Sequence, residues 1–116
     1  MKKVVLLAFL SLFLLSVSDV IHFEALVKAE PKTIYVDASN IDDLLKDGSL
    51  DHPFDKIQEG INAASPGDKV FVFNGTYKEW QIILSKDNLS LVGESRDNTI
   101  IDGQGLGYIL RIDNAD

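Results

Sequence analysis

The chain has 116 residues, a formal net charge of −7 and no cysteine. At this length it holds at most one domain, and the lack of cysteine excludes a disulfide framework and thiolate chemistry. The acidic balance argues against nucleic acid and anionic membrane surfaces as partners, because both classes require basic patches on the protein.

The N-terminus has the three-part pattern of a secretory signal peptide. Lys2-Lys3 forms a basic start, and residues 4–17 form an apolar run, VVLLAFLSLFLLSV. That run is shorter than the roughly 20 residues that cross a bilayer. We therefore predict a signal peptide over residues 1–29, cleaved after Ser18 or Ala29, and a secreted or cell-surface protein. An uncleaved anchor, the only predicted contact with a membrane, is the alternative.

The second predicted segment, residues 30–116, carries 8 basic and 16 acidic side chains, a net charge of −8. Its first element is a short strand at Thr33–Val36, where every residue favours β-structure. An acidic loop, Asp37–Asp51, follows it. We expect the adjacent leucines of this loop, Leu44 and Leu45, to pack onto the body of the domain.

A helix is predicted over residues 53–64. Pro53 suits the first helical position, where its missing N–H is not required. Gly60 weakens the helix by about 1 kcal/mol relative to alanine, so tertiary contacts must stabilise it. The predicted contact surface is an apolar stripe at three- and four-residue steps, formed by Phe54, Ile57, Ile61 and Ala64.

Short apolar runs separated by turn residues occupy the rest of the chain. The turn Ser65–Asp68 precedes the first run, in which Phe71 and Phe73 are expected to pack inward. These runs are too short and too rich in β-branched residues for helices. They lie at residues 70–73, 81–84, 89–92, 99–101 and 108–112.

The centres of these runs recur at a nearly constant interval. The step from Phe71 to Leu91 almost equals the step from Leu91 to Leu110, and Ile82 and Ile101 are separated by a similar step. A repeat of short strands with a period of roughly 20 residues predicts a solenoid in which equivalent strands stack. A sandwich of β-hairpins, signalled by an Asn-Gly turn after the first run, is the alternative.

Three stretches resemble pectin lyase-like, right-handed parallel β-helix proteins: residues 47–77, SLVGES at 90–95 and TIIDG at 99–103. More narrowly, they are similar to exported repeat proteins related to the periplasmic copper-binding β-helix proteins. The resemblance implies a mostly β, right-handed parallel β-helix with an N-terminal capping helix. It also implies a truncated chain, with further coils after Asp116. The copper role is not carried over, because His52 has no second histidine or cysteine nearby.

The function that we predict is that of an exported scaffold without a catalytic site, in contact with polysaccharide or surface glycan. The alternative is the first segment of a polysaccharide lyase, hydrolase or epimerase whose active site lies beyond residue 116. A catalytic site for polysaccharide within this segment would need paired carboxylates, and the candidates are Asp97 and Asp102, beside Arg96 and Lys86. Asp102 is better explained as part of a turn with the glycine that follows it.

Four aspartates of the acidic loop are candidate ligands for Ca²⁺, the only cofactor considered, because Ca²⁺ binds six to eight oxygen atoms. Their spacing does not match an EF-hand, and a solvated acidic loop is the alternative. They are Asp42, Asp43, Asp47 and Asp51.

Three further residues are candidates for contact with glycans. Trp80 is flanked by polar residues and is the candidate for stacking against a sugar ring. Asn74 and Asn88 each begin an Asn-X-Ser/Thr sequon, the acceptor motif for N-glycosylation in hosts that modify exported proteins.

Overall fold

The computed structural model describes residues 29–113. The description below concerns the compact unit that begins at Pro31. The predicted signal peptide lies outside the described residues, apart from Ala29. The elements, in chain order, are β1 (Thr33–Val36), α1 (Ile57–Ala63), β2 (Lys69–Val72), β3 (Gly75–Tyr77), β4 (Ile82–Leu84), β5 (Ser90–Gly93), β6 (Thr99–Ile101) and β7 (Leu110–Ile112).

The strands form three small parallel sheets. The first has the order β1-β2-β5, the second pairs β3 with β6, and the third pairs β4 with β7. Every named strand pair among residues 29–113 is parallel, so the hairpin alternative is wrong. The strands are short, because a turn residue interrupts every apolar run after a few positions.

The prediction of a right-handed parallel β-helix built on a regular repeat is wrong, because the structure consists of short strands in separate sheets of two or three strands. Leu110 pairs with Ile82 and Ile101 pairs with Tyr77, so Leu91 does not stack on Leu110 and Ile82 does not stack on Ile101. The strands that contain Phe71 and Leu91 do pair, with Leu91 opposite Val70. The distance along the chain between paired residues differs from one strand pair to the next. The connecting loops differ in length, and no single period describes the pairing.

The predicted capping helix is also wrong. The helix α1 spans Ile57–Ala63 only. Phe54 instead extends along β1: its amide donates to Tyr35 O at 3.0 Å, and its carbonyl accepts from Asp37 N at 2.7 Å. The helix packs its buried face against β1, β2 and β4, and it is therefore part of the core rather than a cover over one end.

Side chains from the β3–β4 region and the turn after it stabilise both ends of this short helix. The Glu79 carboxylate accepts from the amides of Ile57 and Gln58 at 2.7 and 3.1 Å. The Lys86 ammonium donates to the carbonyl oxygens of Ile61 and Asn62, both at 2.7 Å, and to that of Ala64. These bonds satisfy backbone groups that a helix cannot pair internally. The negative charge of Glu79 lies at the N-terminal end of the helix and the positive charge of Lys86 at its C-terminal end, where each interacts favourably with the helix dipole.

The core lies between α1 and the sheets. The predicted stripe residues Ile57, Ile61 and Ala64 are buried, which confirms the apolar face of the helix. The strands contribute Ile34, Val36, Val70, Val72, Tyr77 and Ile82.

We expect Gly60→Ala to destabilise the protein, although alanine favours a helix by about 1 kcal/mol. A Cβ at this position would lie 2.6 Å from Val36 Cγ2 and 3.1 Å from Val70 Cγ1, and both valines are fully buried. Overpacking of this kind costs about 1–3 kcal/mol, so urea denaturation should give a lower free energy of unfolding. The exposed helical position Ala63 is the control: Ala63→Gly should also destabilise, through helix propensity alone. A stabilised Gly60→Ala variant would contradict the close packing of α1 on β1.

Candidate interaction surfaces

The last strand of each sheet leaves apolar side chains uncovered. Residues in register on neighbouring strands share a face of the sheet. Ile82 on β4 is 1% exposed, whereas its partner Leu110 on β7 is 40% exposed. Ile112, the partner of Leu84, is 64% exposed. We call the surface formed by β5, β6 and β7 the open end.

Two cavities open among the residues of this surface. The first has a volume of about 450 Å³ and lies between β5 and β6, with Leu91 and Ile101 on its walls and Ile57 of the helix behind them. The second has a volume of about 560 Å³ and is lined mostly by polar residues, with Leu84, Leu89 and Ile112 among them. The apolar side chains on the walls of the first cavity mark a surface suited to a partner.

The open end also presents a strand edge that no other strand of residues 29–113 covers. The amides of Ser90 and Glu94 donate back to Asp68 O and Val72 O, at 3.0 and 2.8 Å. Alternate residues of a strand bond to opposite sides, so the amides of Leu91 and Gly93 point away from β2. An exposed strand edge of this kind is a template for a further strand.

The opposite edge of the first sheet is covered by the chain itself. The amide of Tyr35 in β1 donates to Gly48 O at 2.8 Å, and Val36 forms a parallel bridge with Phe54. The loop that supplies these contacts belongs to residues 37–59, which carry seven acidic and two basic side chains. Residues 84–113, which contain the open end, carry five acidic and three basic side chains. The acidic charge is therefore concentrated away from the open end.

The leucines of the acidic loop do not pack onto the body, so that prediction is wrong. Leu44 is almost fully exposed, and Leu45 is also exposed. The loop is held instead by polar contacts, such as Asn40 Nδ2 donating to Pro53 O at 2.8 Å.

Phe71 and Phe73 lie on the outer face of the first sheet, which corrects the prediction that they pack inward. Val70 and Val72 occupy the inward positions of β2 and are buried. The two phenylalanine rings contact each other at 5.2 Å, and each lies 6.0 Å from the ring of Tyr35. The three rings therefore pack against one another on the outer face of the sheet and do not contribute to the core.

The glycan candidates occupy separate places. Trp80 is 42% exposed between β3 and β4. The Asn74 side chain is tied to its neighbours, because its Oδ1 accepts from Ser95 Oγ at 2.8 Å and from Thr99 Oγ1 at 3.2 Å. Asn88 is exposed in the turn before β5 and has a positive φ of 54°. Sugar stacking and N-glycosylation stay predictions at these residues.

Two of the four Ca²⁺ candidates accept hydrogen bonds within their own loop. Asp47 Oδ1 accepts from Ser49 N at 2.9 Å, and Asp43 accepts from Leu45 N at 2.8 Å. Asp42 and Asp51 are exposed; within residues 29–113, no group of three or more acidic, histidine or cysteine side chains is arranged to hold a metal ion. The Ca²⁺ site stays a prediction.

The structure pairs His52 with Asp43, which sequence reasoning missed because the two residues are not close in the chain. His52 Nδ1 lies 2.9 Å from Asp43 Oδ2. Hydrogen bonds from Leu45 N, from the Asn40 side chain and from His52 lower the pKa of Asp43 to about 2. The hydrogen bond to Asp43, with the charges of that residue and Asp47, raises the pKa of His52 above 6.5, against the opposing effect of desolvation.

This pair should make the stability of the acidic loop depend on pH. A histidine whose pKa is raised on folding stabilises fully below its unfolded pKa, and that contribution is lost as the pH rises through the folded pKa. The contribution of Asp43 is lost in acid, as the pH falls from about 4 toward 2. An NMR titration of the assigned His52 ring should therefore give a pKa above 6.5, and Asp43→Asn should lower it. An unchanged His52 pKa in that variant would contradict the pairing.

The residues considered for polysaccharide chemistry have structural contacts instead. Asp102 Oδ1 accepts from Gln104 N at 2.9 Å, which confirms its turn. Lys86 binds the end of α1, as described above. Asp97 is exposed, and Arg96 lines the first cavity.

No family model, curated protein or solved structure matches this chain. The resemblance to pectin lyase-like proteins therefore remains a prediction from the residues. No helix among residues 29–113 is long and apolar enough to cross a membrane.

Proposed function

We propose that this chain is an exported, non-enzymatic scaffold module that binds a polypeptide at its open end. The observation that carries the proposal is the contrast between neighbouring strands. Ile82 is buried, whereas Leu110 and Ile112, on the next strand along, remain exposed because no further strand of residues 29–113 covers them. Covering these side chains would remove apolar surface from water, at roughly 25 cal/mol per Å² of gain before the costs of association.

Backbone hydrogen bonds would fix the orientation of a polypeptide bound at this apolar surface. The outward amides of Leu91 and Gly93 can bond to an added strand, as in other cases where a peptide extends a sheet edge. Export is supported by the basic start and the apolar run at residues 4–17.

Impermeant thiol labelling tests both parts of the proposal, because the natural chain has no cysteine. Ile112→Cys places a thiol on the open end, and Lys78→Cys places one at an exposed control position outside it. We expect the Lys78→Cys protein to react with a membrane-impermeant maleimide on intact, exporting cells or in the medium. The Ile112→Cys protein should react slowly there and rapidly once it has been isolated and diluted. Equal labelling of both variants in the native fraction would contradict a covered open end.

Export has its own control. Leu10→Arg places a charge within the apolar run and should keep the protein inside the cell. The mass of the exported wild-type product should correspond to cleavage after Ser18 or Ala29. A product that stays in the cytoplasm at its full mass would overturn export without affecting the binding surface.

A further inference from the structure

We infer that the cavity between the acidic loop, the residues before α1 and the end of β3 binds a small organic carboxylate. The cavity has a volume of about 210 Å³, and Ile41, Lys56 and Lys78 are among the residues on its walls. None of the lining residues belongs to the open end. The inference therefore goes beyond the proposed function and does not depend on it.

Contacts between distant parts of the chain hold the walls of this cavity in place. The Asp37 amide donates to Phe54 O at 2.7 Å, which joins the acidic loop to the segment before α1. The Ala38 amide donates to the Tyr77 hydroxyl at 3.2 Å, which joins the same loop to β3. Glu79 joins the residues after β3 to the start of the helix. The cavity is therefore formed without a ligand, as small-molecule sites usually are.

The two carboxylates on the cavity walls already have partners. Asp55 Oδ1 accepts from Lys46 Nζ at 2.8 Å, and both side chains are mostly buried. Glu79 uses both of its oxygen atoms to accept from the amides of Ile57 and Gln58. A cation in the cavity would have to compete with these donors for the carboxylates, so the walls do not favour a positively charged ligand.

The ammonium groups on the walls have no such partners. Neither Lys56 nor Lys78 belongs to an ion pair within residues 29–113, and both side chains are exposed. Thr76, also on the wall, adds a hydroxyl group that can donate a hydrogen bond. A carboxylate brings one negative charge and two acceptor oxygen atoms, which can accept from these donors in charge-assisted hydrogen bonds. The donors that remain free in the cavity therefore select an anion.

An apolar wall favours an organic carboxylate over an inorganic anion. Ile41 is 64% exposed, and Ala38 and Tyr77 also line the cavity. A ligand with an apolar body would remove part of the Ile41 side chain from water, which favours binding, whereas phosphate has no apolar part that could use this wall. The volume is below the roughly 300 Å³ at which sites for drug-sized ligands begin, so the body of the ligand is small.

Benzoate, benzyl alcohol and phosphate are probes that separate these contributions. We expect titration of the ¹⁵N-labelled native protein with sodium benzoate, at constant ionic strength, to give saturable NMR shifts at the amides of Ala38, Thr76 and Lys78. Benzyl alcohol keeps the ring without the charge, and phosphate keeps a charge without the apolar body. Each should bind at least about threefold more weakly than benzoate.

Matched removals of one positive charge locate the site. Lys56→Gln and Lys78→Gln should each raise the dissociation constant for benzoate by about threefold, the usual size of an exposed charge interaction. Lys69→Gln removes an exposed lysine from β2, outside the cavity, and should leave the dissociation constant unchanged. The NMR spectrum of each variant without benzoate shows that the fold is retained.

Every other result overturns the inference. Absence of saturable shifts up to the solubility limit of benzoate would mean that the cavity binds no carboxylate, and shifts centred on other residues would place the binding elsewhere. Benzyl alcohol or phosphate that binds as tightly as benzoate would mean that apolar contact alone, or charge alone, accounts for the binding. An effect of Lys69→Gln equal to that of Lys56→Gln would mean that net charge attracts the anion. None of these results changes the outcome of thiol labelling at Ile112, which tests the proposed function separately.

Discussion

Replacing Ile61 with alanine should lower the free energy of unfolding by about 2–4 kcal/mol. Ile61 is 2% exposed, at the centre of the face that α1 turns toward the strands. The substitution removes buried apolar atoms and leaves a cavity that neighbouring side chains fill only in part. Alanine has the higher helix propensity, so any loss of stability reports packing rather than the helix itself.

The measurement is urea or thermal unfolding followed by circular dichroism. For a domain of this size, about 2 kcal/mol corresponds to a fall in Tm of roughly 10 °C. Ile41→Ala is the control, since it makes the same chemical change at an exposed position and should alter stability by less than about 0.5 kcal/mol. Equal effects of the two substitutions would contradict the placement of α1 in the core.

Replacing Tyr77 with phenylalanine should cost about 1–3 kcal/mol, although the ring is retained. Tyr77 is 2% exposed, and its hydroxyl donates to Phe73 O at 2.8 Å, with Val36 O also within 3.2 Å. The same oxygen accepts from Ala38 N at 3.2 Å. Loss of the hydroxyl leaves these backbone groups without their partner, near the point where β1 ends.

Burial raises the pKa of the Tyr77 hydroxyl to about 12. Its neutral form is therefore the folded form, and the protein should lose stability at alkaline pH where an unfolded tyrosine ionises, near pH 10. Tyr77→Phe should remove this part of the alkaline dependence. Tyr108→Phe, at an exposed position, is the control for both measurements. A Tyr77→Phe protein as stable as the wild type would indicate that water replaces the lost hydrogen bonds.

Local patterns predicted the positions of most elements. The strand at Thr33–Val36 and the strand at Thr99–Ile101 have their predicted bounds, and α1 buries its predicted isoleucines. The strand β3 was missed, because its first residue belongs to an Asn-Gly pair that reads as a turn. Tyr77 of this strand is buried, and its hydroxyl forms hydrogen bonds with backbone groups of Val36 and Ala38. These partners are distant in sequence, so no local pattern indicates them.

Interaction surfaces were harder to predict than elements. Phe71 and Phe73 form an unbroken apolar run with the neighbouring valines, so nothing in the run distinguishes the inward face from the outward face. Pairing with β1 places Phe71 beside Tyr35 on the outside. The Asp43–His52 pair likewise depends on a loop path that no local spacing specifies.

Composition and local periodicity by themselves determined the acidic, cysteine-free character of this chain, the predicted export segment and the location of its short apolar elements. Strand register, the role of α1 and the exposure of β7 were decided by the tertiary structure. Strand pairing joins residues at a different separation along the chain in each sheet. These separations depend on loops whose lengths the apolar repeat does not encode. Exposure of Ile112 likewise follows from the absence of a second strand beside β7 among the described residues.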